Sequence, residues 1–201
     1  MYRFSTTMTL AKITEIMKKT CWLFLLLFLP AGLVVQAQNL YAAQNGTVTF
    51  FSDAPLEDIE AKNNKAQSII NLTAREVAVK VPIKSFVFEN SLMQEHFNEN
   101  YLESDKYPFA TFKGRINENI DLTKEGTYDV SVTGKMNIHG VERDQTIKGK
   151  IQVLAGKMLL QADFPVLLAD HKIEVPTLVF QKIAEKIAVK TDFALVPYVK
   201  Q

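Results

Sequence analysis

The chain has 201 residues, 47% hydrophobic and 22% charged, which is ordinary usage for one globular domain. Its net charge of +1 provides no basic footprint for nucleic acid. A single cysteine excludes a disulfide scaffold and a thiolate-based metal centre.

The first segment reads as a targeting sequence. Lys18 and Lys19 precede an uncharged run of fifteen residues, Cys21 to Val35, and Val35-Gln36-Ala37 supplies small residues where a signal peptidase reads them. Such a run is short for a membrane span, so residues 1–37 are expected to be a secretory signal peptide cut after Ala37. Met17-Lys18-Lys19 forms a compact basic start by itself, which makes Met17 an alternative initiation site. Cys21 precedes the apolar run and follows Lys-Lys-Thr, unlike a lipobox. Cleavage would remove four basic residues and one acidic residue, leaving 19 basic against 21 acidic, a net of −2, and no cysteine. A periplasmic or secreted domain with no membrane span is implied, held together by its core alone.

Residues 38–45 are polar and small and read as an N-terminal tether, so the folded domain is expected over 46–201. Strands follow at Thr47–Ser52, Gln67–Leu72 and Glu76–Glu89. In the last of these, Val77, Val79, Val81 and Ile83 share a face while Phe86 and Phe88 fall in the opposite phase, which predicts a bulge near Pro82–Ser85. Ser91-Leu-Met-Gln94 fits a capping box, and Met93, Phe97 and Tyr101 recur every four residues, giving a short amphipathic helix that can pack on or plug a sheet. Five more strands are expected: Phe109–Asn117, Gly126–His139, Gln145–Leu154, Lys157–Leu168 and Lys186–Val196. Residues 169–185 read as a covering loop, with a helical turn around Lys182 to Lys186. The resulting class is all-β: an extended antiparallel eight-stranded barrel with one short helix, an architecture that leaves no exposed sheet edge.

The strand from Gly126 is the longest and most regular, alternating Tyr128, Val130, Val132, Met136 and Ile138 against a polar face. Thirteen strand residues tilted by about 40° give roughly 30 Å of barrel height, enough for a tunnel suited to a long apolar chain. The expected lining is Phe112, Gly114, Ile116, Val130, Val132, Gly134, Met136, Ile138, Ile147, Gly149, Ile151, Met158, Leu160, Phe164, Val189 and Phe193. An ordinary filled core would use the same residues. Gly114, Gly134 and Gly149 each interrupt an apolar row, either making room for a ligand or marking barrel bends or seats for Met93 and Phe97.

Four stretches taken together resemble the YceI family: His96 to Pro108, Ala110-Thr111-Phe112-Lys113-Gly114, Gly126 to Gly134, and Ile138-His139-Gly140-Val141-Glu142-Arg143. The similarity runs over most of residues 46–196, although Phe50 to Glu60 departs from the family's usual opening. The resemblance implies a lipocalin-like barrel, exported to the periplasm or cell surface, that binds a polyisoprenoid or other long-chain amphiphile in its lumen.

No chemistry stands out beside this. The three histidines, His96, His139 and His171, do not pair on one element, so no metal and no cofactor is expected. No nucleophile elbow, phosphate loop or zinc-protease motif occurs, and no catalytic residue is assigned. His139 with Arg143 could hold a phosphate or carboxylate head group, or His139 could simply stabilise its turn. A carrier is the leading reading; an enzyme acting on a lipid or amide in the same cavity, and a packed envelope protein, are the alternatives. A homodimer is compatible with all three. N-terminal sequencing of the exported protein should begin at Gln38; retention of residues before Ala37 would overturn the signal-peptide reading.

Overall fold

The computed structural model describes residues 39–53, 58–174 and 184–198; the expected signal segment and most of the expected covering loop lie outside the described residues. Among the described residues nine strands form one antiparallel sheet: β1 (Leu40–Asp53), β2 (Asp58–Asn71), β3 (Glu76–Pro82), β4 (Phe86–Phe88), β5 (Phe109–Ile116), β6 (Gly126–Ile138), β7 (Val141–Leu154), β8 (Lys157–Leu167) and β9 (Lys186–Pro197). The order is β1-β9-β8-β7-β6-β5-β3-β2, and β1 pairs again with β2, closing an eight-stranded barrel. The three-residue β4 continues β3 along β2 beyond a break.

That break is the expected phase change. A 3-10 turn at Ile83–Ser85 interrupts the strand and turns Phe86 into the core. Asn63, fully buried on β2, supplies what the interruption removes: its amide donates to the Pro82 carbonyl at 2.8 Å and its oxygen accepts from Lys65 N–H at 2.8 Å. A buried asparagine with both ends satisfied is compatible with an apolar interior.

Three boundaries differ from expectation, one being the start of β7 at Val141, four residues before the expected Gln145. Leu40 to Asn45 is strand, not tether, because β1 closes the barrel by bonding to both β2 and β9. β2 begins at Asp58, nine residues before the expected start, since its inward positions are Ala61, Asn63 and Ala66, too small or too polar to register as an apolar row. At the other end of β6, His139 and Gly140 form a two-residue hairpin with φ of 53° and 71°, the all-positive geometry that suits tight antiparallel turns.

The interrupting glycines are accounted for by backbone. Gly114 and Gly134 sit opposite each other in the β5–β6 register. A Cβ on Gly134 would lie 2.2 Å from the Lys113 carbonyl oxygen and 2.3 Å from Gly114 Cα, and one on Gly149 would lie 2.4 Å from the Gln161 carbonyl oxygen. Neighbouring strands leave no room for a side chain at these positions, so at Gly114 and Gly134, which are off the cavity wall, the ligand-room and helix-seat readings give way to close strand approach. Gly134→Ala should accordingly lower the unfolding free energy by about 1–3 kcal/mol in urea titration, through overpacking; a neutral effect would restore the idea of open space there.

Candidate functional site

The barrel interior is divided along its axis. Towards the end carrying the β1 N-terminus, Ile70, Ile116, Ile151, Met158 and Leu195 are fully buried and fill the lumen. Leu122, from the loop held against β6 by the Glu118 carboxylate on Ser131 N–H and Oγ–H, is buried in the same core. Towards the other end the lumen is a cavity of about 470 Å³, within the usual range for small-ligand sites.

Of the expected lining, Phe112, Val130, Val132, Met136, Ile138, Ile147, Gly149, Leu160, Phe164, Val189 and Phe193 stand on the cavity wall. Ile116, Ile151 and Met158 lie in the packed half, and Gly114 and Gly134 are off the wall altogether. The expected tunnel is therefore a half-length chamber: large side chains at the lower end of each inner row occupy the remainder.

The wall also includes residues that periodicity alone did not assign to a lining. Val77, Val79, Val81 and Ile83 contribute the β3 side, legible as one apolar face. Phe50, Phe86, Phe88 and Phe97 form an aromatic cluster near the cavity's outer end, with ring centroids 5.0–5.6 Å apart. Offset and edge contacts of this kind add about 0.5–1.5 kcal/mol per pair beyond burial. The cluster anchors helix α1 (Ser91–His96) and the π-helical turn Phe97–Tyr101 that follows it. The cap is Asn90, not Ser91: its side-chain oxygen accepts from Leu92 and Met93 N–H. Met93, Phe97 and Tyr101 all face the cavity, as their spacing predicts. His96 and Tyr101, with Ser52, Asn90, Thr111 and Thr191, bring polar atoms to a predominantly apolar wall, and burial raises the Tyr101 phenol above its ordinary value.

His139 and Arg143 are not on the cavity wall. His139 Nε2 donates to Glu103 Oε2 at 2.7 Å, its Nδ1 lies 3.3 Å from the His171 carbonyl oxygen, and its ring meets Tyr107 edge-on at 4.8 Å. Arg143 Nε donates to the Asp170 carbonyl at 2.8 Å. Both side chains tie the β6–β7 hairpin to the segments after the helix and after β8, which corrects the head-group assignment. Glu142 bonds Lys135 at 2.9 Å. His171 is buried beneath this network, its Nδ1 donating to the Val141 carbonyl at 3.1 Å, and burial holds its imidazole below its ordinary value of 6.5. The hydrogen bond from His139 lowers the Glu103 carboxyl. Among the described residues there is no cluster of three potential metal ligands and no helix long and apolar enough to cross a membrane.

A family model described as a YceI-like domain matches residues 35–195. Solved structures share the architecture. A polyisoprenoid binding domain from Saccharophagus degradans implicated in plant cell wall breakdown has a TM-score of 0.68 at 16% identity, covering 80% of this chain and 99% of that one. BcnA of Burkholderia cenocepacia has a TM-score of 0.63 at 16% identity, covering 74% and 95%. The YceI protein of Campylobacter jejuni has a TM-score of 0.56 at 18% identity, covering 69% and 85%. At these identities the likeness is one of fold. No curated protein gives a significant match.

The buried histidine makes stability depend on pH. A group whose folded pKa is depressed contributes stability above its unfolded pKa and loses it as pH falls through the folded value. For His171 that loss begins near 6.5, and for Glu103 only below its ordinary 4.5. Thermal melts should show stability declining in both windows, with His171→Asn flattening the upper one and Glu103→Gln the lower.

Proposed function

This chain belongs to the YceI family, and on that footing we propose that it is a carrier that holds the apolar tail of a polyisoprenoid or comparable long-chain amphiphile in the upper half of its barrel. Its work is solubilisation, with no reaction carried out on the cargo. The observation that carries this reading is the cavity of about 470 Å³, enclosed by aliphatic and aromatic side chains in a barrel whose other half is packed. Each buried methylene contributes about 0.8 kcal/mol gross, so even a partial tail offsets a large part of the cost of association. The Saccharophagus degradans domain, described as polyisoprenoid binding, supports the ligand class. The targeting segment read in residues 1–37 supports a periplasmic or secreted setting, where an insoluble lipid needs a carrier between membranes.

An enzymatic reading centred on His139 finds no support in the geometry. Its two ring nitrogens face acceptors inside the fold, away from the cavity wall.

Organic extraction of the purified mature protein, followed by mass spectrometry, should release a long-chain amphiphile. Ala162→Trp, which places an indole into the open space beside a wall residue, should abolish that cargo while the protein keeps its fold by circular dichroism. Lipid-free wild-type protein that also fails to take up added farnesol would falsify the carrier reading.

A further inference from the structure

The boundary between the packed and open halves of the lumen lies at a definite level, and one side chain stands at it on each of the strands concerned. On β9, Val189, Thr191 and Phe193 are on the cavity wall, whereas the next inward residue, Leu195, is fully buried and off it. On β8, Leu160 is on the wall and Met158 is fully buried below. Leu160 pairs with Phe193, and Met158 with Leu195, so the change occurs at the same register on both strands. On β7 the change comes one inward position earlier: Gly149 is on the wall, while Ile151, which pairs with the wall residue Leu160, is fully buried and off it.

Phe193 is the bulkiest group at this level, and its position depends on a local feature of β1. The β1 register shifts between Ala42 and Thr47 against β9. At Gly46, inside that shift, a Cβ would lie 2.0 Å from Phe193 Cδ1 and 2.2 Å from its Cε1. The phenyl ring therefore occupies the volume that any side chain at 46 would take. Phe193 is only 3% exposed although it borders the cavity, so its ring is fixed from below and from the side.

We propose that Phe193, seated over Gly46, is the floor of the carrier site and sets the length of tail the barrel accepts. The inference rests on the carrier reading. From Ile187 to Phe193 the wall of β9 runs about 20 Å along the strand, or roughly 15 Å along the barrel axis at a tilt near 40°. A tail longer than this depth gains no further burial and leaves its excess at the mouth beneath α1.

The test is calorimetric titration of the mature protein with geraniol, farnesol and geranylgeraniol, each longer than the last by one isoprene unit. Wild-type affinity should rise from geraniol to farnesol and then level off. Phe193→Ala removes a ring comparable in size to one isoprene unit, and should favour geranylgeraniol over farnesol by at least about tenfold, a fraction of what five newly buried carbons can contribute. Phe193→Leu should give a smaller shift in the same direction if the alanine variant is too unstable to titrate. Ala162→Leu, filling the wall above the floor, should move the plateau down to geraniol. If wild-type affinity keeps rising to geranylgeraniol, or if the Phe193 variants change all three affinities equally, Phe193 is not the floor and the carrier reading still stands. Wild-type protein that binds none of the three overturns both.

Discussion

Closure of the barrel through β1 is the constraint on which the rest of the molecule depends. β1 is hydrogen-bonded along one edge to β2 and along the other to β9, so the sheet closes on itself and the inner side chains face a common interior. Closure also creates a packing problem. The inner rows of eight strands must either fill the enclosed volume or leave a space that something else occupies. In this chain they do both, and the axial position of large residues decides where each applies.

Below the level of Phe193 the rows end in Ile, Met and Leu and the interior is filled. Above it the same rows place Val, Ala, Thr and Gly among Ile and Met, together with aromatic residues whose rings pack against one another at the rim. The phenylalanine cluster holds the helix by Phe97, and Met93, His96 and Tyr101 add to the cavity wall beside it. A carrier needs this division of labour. The packed half and the closed ladder provide stability without disulfides, and the open half can remain empty because it does not bear the load of the fold.

The histidine cluster shows how a residue type that suggests chemistry can be absorbed by architecture. His139 occupies a left-handed turn position, contacts Glu103, which itself has φ of 42°, and borders the Tyr107 ring that sits over Gly140. Arg143 and His171 use backbone carbonyls. Together they join three connecting segments at the end of the barrel that bears the cavity. The polarity that resembled a head-group site serves instead to hold the irregular chain around the barrel end, where backbone groups lack ladder partners.

Much of the fold was legible because alternation with a period of two is a local signal. The strands from Phe109 to Leu168, the phase change before Phe86 and the eight-stranded class follow from it, and the helix stripe of Met93, Phe97 and Tyr101 follows from an equally local spacing of four. The strand positions carrying Ala61, Asn63 and Ala66, and the polar start of β1, were hidden because small or hydrogen-bonded inward residues give no apolar row. By itself, the amino-acid sequence determined which residues face inward, since side-chain direction along a strand is a property of neighbouring residues. Only the tertiary structure decided which of those inward residues line a cavity and which plug it, and whether Gly114, Gly134 and Gly149 border a ligand or another strand. Those outcomes depend on register and on the distance between strands far apart in sequence, which no local pattern encodes.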